Sequence, residues 1–420
     1  MKKRYIYNVI SLILLSLVSL VPIQSLGSTT NLCAGLVVNK ANYPMTALAK
    51  PAVGQAVTDP QFSTIIRRIS NSGSSGVIKP LYSTIPAWNA DETYLILYHQ
   101  GSAPYAGSHV LYGGKTYQLI KALRLESPTD LEHIHWDPTD ADVLYYPSNY
   151  NGQPRLMRYR VSTDQNELVQ NFGNAPTNCP TGWSDLLSFG SDPQYMAWNA
   201  SNKIVGLKCG SKKFAYNIGT NTVLGISAMD SVNAPIVAPS GNLMFLNGKV
   251  YDTATFTLQR TLAMANASEH ASIGKRNDGS DVYNVVSFDD AQPGSLVSYE
   301  LATGTRKVVV GKVTGYPYPP SGTHISSVAI RAPGYVAVSI VGGGKGQTLL
   351  DNEIVLADLN SGQICRVAHH RSLGKEGPQG YWAEPHATIS PSGTRILFAS
   401  DWGGQSSVDT YVVELPSYQP

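Results

Sequence analysis

A strand, a tight turn and a second, strongly apolar strand recur seven times between Pro86 and Ser400. The sharpest copy lies within EPHATISPSGTRILFASD (Glu384 to Asp401), where Pro391 presets φ and Gly393 supplies the positive φ of a tight reversal. Its relatives are PAWNADETYLILYH (Pro86 to His99), HIHWDPTDADVLYYP (His133 to Pro147) and DLLSFGSDPQYMAW (Asp185 to Trp198). APIVAPSGNLMFL (Ala234 to Leu246), HASIGKRNDGSDVYNVVSF (His270 to Phe288) and HISSVAIRAPGYVAVSI (His324 to Ile340) complete the set. Most are followed by a second hairpin with a polar turn, such as IVLADLNSGQICRV from Ile354. Units of about 50 residues, with no amphipathic helical period between them, predict an all-β, seven-bladed β-propeller of four-stranded blades over residues 63–420. The last unit ends at DTYVVEL (Asp409 to Leu415) without an outer strand. STIIRRIS (Ser63 to Ser70) is expected to fill that place, closing the ring and removing a free sheet edge.

With 14% charged and 42% hydrophobic residues the chain can bury a large core, and a net charge of +2 argues against nucleic acid or an anionic membrane as partner. Met1 to Gly27 reads as a secretory signal: Lys2, Lys3 and Arg4, then an apolar run from Val9 to Val21, then small residues at Ser25 and Gly27. The run is short for a spanning helix, so the mature chain is expected to be periplasmic or secreted, without stable membrane insertion. Residues 28–62 read as an extension on the domain surface. Four cysteines in an exported chain are compatible with two disulfides, and no metal-binding CxxC spacing occurs. Cys179 and Cys209 fall within one repeat, which would leave Cys33 to Cys365; spacing alone leaves the connectivity open.

Propeller geometry turns repeat position into spatial position, because each innermost strand starts beside the central axis at the same face. The residue opening each unit is His133, His270, His324 or His386 in four of them, Asp185 and Ala234 in two more, and approximately Ile85 in the first. One such histidine is readily a structural residue at the channel mouth. Four on one axis point instead to a metal, since clustered imidazoles repel when protonated and a metal keeps them neutral. The same face should carry aromatic and polar loop residues, among them Tyr150, Tyr318, Tyr381, Trp382, Trp402 and Gln379, which suit sugar rings and carboxylates.

Leu131 to Pro147 and Glu384 to Asp401 resemble the propeller of the oligogalacturonate lyases and, more loosely, the TolB-type repeat. The likeness spans about residues 63–415, and its turn motif marks a fold more than an activity. It implies a periplasmic or secreted enzyme that cleaves uronate-containing saccharides by β-elimination, holding a divalent, manganese-like metal through histidines and a glutamine near the axis. Carried over by position, His324, His386 and Gln379 become candidate ligands, His270 a ligand or base, and His133 the histidine before the aspartate-proline turn. The chain departs from those lyases entering the last blade, where a Gln/His/His cluster is replaced by Glu384, Pro385 and His386.

Elimination next to a carboxylate needs that charge neutralised and a base of near-neutral pKa. Arg371 or Arg276 could meet the carboxylate, and His270 or His133 could take the proton. The rival reading is a non-catalytic, TolB-like propeller that binds a glycan or an envelope protein. A glycosidase fits less well, because it needs two facing carboxylates where this axis is rich in histidine.

Overall fold

Seven antiparallel sheets, each wound mainly from consecutive strands, make up the β-structure of the described residues in the computed structural model. The structure describes Met1 and residues 31–182, 186–190, 203–264, 266, 270–288, 293–316, 323–343 and 345–420, and residues 31–420 form one compact unit. The expected signal sequence, Trp183 to Asp185 and Tyr318 therefore lie outside the described residues.

Blade five shows the pattern in full: Ala271–Lys275, Asp281–Ser287, Ser295–Glu300 and Arg306–Val310 pair in sequence order. The two middle strands are buried along nearly their whole length, as strands covered on both faces by neighbouring blades must be. Blade six repeats the order from His324–Ser326 to Ile364–His369. In blade three the described strands are Ile204–Cys209, Lys212–Asn217 and Thr222–Ala228. Ile204–Cys209 (IVGLKC) is an apolar strand of that blade, and the PQYMAW segment that the repeat suggested lies outside the described residues.

Blade one departs from the pattern near the axis. Its long strand Tyr94–Gln100 pairs at one end with Val77–Lys79 and at the other with Trp88, through the Trp88–Leu95 bridge. Between them Pro80 and Pro86, which cannot donate to a ladder, bound a detour of the chain toward the axis. Lys79, rather than Ile85, therefore faces the axis in blade one, and Ile85 joins the apolar cluster around Trp136 and Tyr146.

Ring closure occurs as the sequence predicts. Asp409–Glu414 pairs on one edge with Arg395–Ser400 and on the other with Ile65–Arg68, whose Ile66 is wholly buried. Ala56–Thr58 then adds a fifth strand outside it. The extension before that strand is built into the wall. The Cys33–Cys365 disulfide and a Val37–Arg366 bridge fix it to blade six, while Cys179–Cys209 staples the approach to blade three. Arg366 is fully buried beneath the extension: its guanidinium donates to both Glu353 oxygens at 2.8 and 2.6 Å and to the Ala41 carbonyl at 2.6 Å, with Tyr43 and Phe62 rings over it. No helix among the described residues is long and apolar enough to cross a membrane.

Breaking a buried pair leaves an uncompensated charge in a low-dielectric interior. Arg366→Met is accordingly expected to cost about 3–5 kcal/mol, read as a lowered urea midpoint, because Glu353 has no exposed side-chain surface through which to rehydrate.

Candidate metal centre at the propeller axis

The inner strands of blades five, six and seven deliver three histidines to one point. His270 precedes Ala271–Lys275, His324 opens its own strand, and His386 stands two residues before Thr388–Ile389. The rings of His270 and His324 stack at 4.5 Å, and those of His324 and His386 meet edge-on at 4.2 Å. Glu384 reaches into the same space: its Oε2 lies 3.6 Å from His324 Nε2 and 3.7 Å from His386 Nε2. Ligand atoms of His324, Glu384 and His386 all fall within 4.8 Å of one another, and all three side chains are buried. From blade one's detour, Tyr82 sets its ring 5.3–5.4 Å from those of His386 and His324.

His386 is held in an uncommon conformation. Its φ is +42°, a region that costs a β-carbon-bearing residue on the order of 1–3 kcal/mol and is kept where the surroundings over-determine it. Here the Ala399 amide donates to the Pro385 carbonyl at 2.8 Å and the Ala387 amide to Ser339 Oγ at 3.3 Å.

Charge around the cluster is finely opposed. Burial, then the Lys79 ammonium and the two neighbouring imidazoles, holds His386 well below the usual histidine range. Burial likewise raises the Glu384 carboxyl, against the pull of Lys375 and Lys79. Lys79 Nζ lies 2.7 Å from His386 Nδ1 and is pushed down to about 8 by burial, with Glu132 and Glu384 acting the other way. Lys375, which is largely exposed, reaches Glu384 Oε1 at 3.5 Å.

The donor set fits a divalent ion. Bonds of ~2.0–2.2 Å at tetrahedral or octahedral angles place donor atoms roughly 3.0–3.5 Å apart, close to the two distances to Glu384 Oε2. His386 Nε2 is fully buried with no hydrogen-bond partner among the described residues, although a buried polar atom normally has one. Two imidazole nitrogens with one carboxylate oxygen suit zinc, manganese or ferrous iron.

Two solved structures share this architecture. An oligogalacturonate lyase in complex with manganese superposes with a TM-score of 0.60 at 15% identity, over 86% of this chain and 96% of that one. An oligogalacturonate lyase from Vibrio parahaemolyticus gives 0.59 at 13% identity, over 87% and 99%. The fold is that of the oligogalacturonate lyases. No protein-family model matches the chain, and no curated protein matches it.

Of the residues expected from sequence, His270, His324 and His386 come together. His133 takes another place: its Nε2 donates to the Gly190 carbonyl at 3.0 Å, and its Nδ1 accepts from Thr129 Oγ1 at 3.2 Å. Blades five to seven are consecutive around the ring, whereas blade one separates blade two from them. Gln379 donates its amide to the Ser406 and Ser75 carbonyls, bridging blades seven and one. Arg371 is engaged by the extension, with Nη1 2.6 Å from the Thr46 carbonyl and Nη2 3.6 Å from Asp59. Arg276 pairs with Asp278 and Glu300 at the opposite end of the blade-five strand from His270. Tyr150 lies on a 3-10 turn of blade two under Arg155. Tyr381 contacts the cluster directly, its ring 5.1 Å from that of His386, and Trp382 adjoins it.

Trp402 belongs to the blade-seven core, stacked 4.7 Å from Tyr411 with its indole N–H donated to the Leu48 carbonyl at 2.9 Å. Trp402→Ala should therefore lower stability by about 3–5 kcal/mol in denaturant melts.

Proposed function

We propose that this chain is an exported lyase that cleaves a uronate-containing oligosaccharide by β-elimination, with a divalent metal held by His324, His386 and Glu384. The observation that carries the reading is the buried Nε2 of His386, which has no hydrogen-bond partner among the described residues and faces a carboxylate and a second imidazole at the axis. The shared fold with two oligogalacturonate lyases, one in complex with manganese, supports it. The two disulfides support an oxidising compartment.

A divalent ion bound there would neutralise the uronate carboxylate and acidify the α-proton. The chain's own groups fill the remaining roles. His270 Nδ1 donates to the Thr323 carbonyl at 2.6 Å, which in the neutral ring leaves Nε2 with a lone pair for the general base. Lys375, in place of the arginines expected from sequence, is the exposed cation beside Glu384 that can meet a second carboxylate. Glu384 adds a carboxylate oxygen to the imidazole nitrogens, so this centre has a harder ligand set than imidazoles alone. Tyr82 shields three imidazoles from water with its edge-on ring.

Stripping and reloading the purified protein with manganese or zinc tests the metal. About one equivalent should bind, and His324→Ala, His386→Ala and Glu384→Ala should each weaken it by at least the ~100-fold that losses of outer-shell support can reach. Ultraviolet absorbance of unsaturated uronate, followed over a panel of acidic oligosaccharides, tests the chemistry. His270→Ala should lower kcat by about 10²–10⁴ with metal affinity retained. Absence of both stoichiometric metal and unsaturated product overturns the reading.

A further inference from the structure

One face of blade one continues the site outward. Tyr98 is the cross-strand partner of Lys79 on one side and of His109 on the other, so these three side chains share a face. Trp382, arriving from the connection into blade seven, stacks against Tyr98 with centroids 6.5 Å apart and planes 23° from parallel. Tyr381 bridges inward, 5.8 Å from Trp382 and 5.1 Å from His386. Tyr98 lies 5.5 Å from His109. A continuous row of rings thus runs from the candidate metal centre, past the connection into blade seven, and over blade one to the face it turns toward blade two, longer than a single sugar.

The row is open to solvent where it counts. Tyr381 is 42% exposed, and Trp382 and Tyr98 are half-buried. Rings left partly exposed with their polar edges wet are what saccharide faces stack on. Beneath them the buried Lys79 Nζ lies 5.0 Å from the Tyr381 centroid and 5.6 Å from that of Trp382, and the exposed Lys375 stands at the mouth beside Glu384. Exposed aromatic faces with the Lys375 ammonium beside them complement a sugar that carries a carboxylate, more than a neutral glycan.

We propose that this row of rings is an extended subsite that binds the sugars next to the one undergoing cleavage, so that the oligosaccharide leaves the axis over blade one. The proposal rests on the lyase reading above and adds to it a direction and a minimum length of substrate. It assigns Trp382 and Tyr98 as the stacking residues that set chain-length preference.

The test is calorimetric titration of the metal-loaded protein with di-, tri- and tetragalacturonate, alongside turnover of each. Wild-type affinity should rise with length. Trp382→Leu should weaken tetramer binding about five- to tenfold and raise its KM with kcat held, leaving the dimer unaffected. Trp382→Phe, which keeps a ring, should retain most of the gain. Tyr98→Leu, the next ring along the row, should repeat the Trp382→Leu pattern. Unchanged dimer affinity in these variants also shows that they fold. A length profile in Trp382→Leu and Tyr98→Leu equal to wild type, or an equal loss at every length, overturns the subsite. Turnover by wild type without length dependence overturns the subsite and spares the lyase reading. A length-dependent gain in affinity without unsaturated product supports the subsite and overturns the lyase reading.

Discussion

Asp409–Glu414 is hydrogen-bonded along both edges, to a strand of its own blade and to Ile65–Arg68 from the other end of the chain. The rest of the architecture depends on that double pairing, because an open seven-bladed arc would leave a free edge and an uncovered face at each end. Charge reinforces it at both faces. Asp409, fully buried, takes Lys50 at 2.7 Å and Arg68 at 2.8 Å, both from the N-terminal segment. At the opposite face Glu92 of blade one accepts from Arg395 of blade seven and Arg331 of blade six, each at 2.6 Å. Such pairs give modest net stability for the desolvation they require, and their geometry chiefly fixes which partners meet. Along the same seam, blade seven is made to face blade one in a single register.

Closure has a cost at the axis. Inner strands of consecutive blades converge there, and whatever their first residues are becomes buried with its neighbours. For blades five, six and seven those residues are imidazoles, beside a carboxylate and an ammonium. Burial favours neutral imidazole and neutral carboxyl, and pushes the Lys79 ammonium toward the amine. Left with protein groups alone, the cluster keeps an unsatisfied nitrogen at its centre and a histidine in left-handed backbone geometry. Groups retained under such strain cluster at working sites, where something beyond the chain completes them.

The fold was legible because turn chemistry repeats: a polar turn precedes each strong strand, sharpened by Pro239 with Gly241, Pro333 with Gly334 and Pro391 with Gly393, and leaves few alternatives to a blade. STIIRRIS was legible as the closing strand for a second reason, the outer strand missing from the last unit. The site was legible only where the repeat itself carried the ligand. His270, His324 and His386 stand at equivalent positions and meet, while His133 stands at an equivalent position and does not, since sharing an axis is not the same as adjacency around it. Lys79 and Tyr82 gave no signal, because they stand just before and within the detour bounded by Pro80 and Pro86, where blade one breaks the repeat that made the others readable. Arg371 and Trp402 looked like face residues in a loop; the extension that covers them, from Thr46 to Asp59, carries no periodicity by which its path could be traced.

That detour links the architecture to the chemistry. The imidazoles come from blades five to seven, but Lys79, Tyr82 and the Tyr98 face of the aromatic row come from blade one, at the other end of the ring in sequence. They reach His386 and Trp382 only across the closing seam. A partly wound propeller could hold the three histidines near one another, yet it would lack the wall that buries His386 and the face against which Trp382 stacks. Burial in turn is what keeps His386 neutral and its Nε2 available as a ligand atom. The strand pairing that ties the two chain ends together is therefore also the last step in assembling the candidate centre, and loosening that pairing should disorder the site before it unfolds the blades.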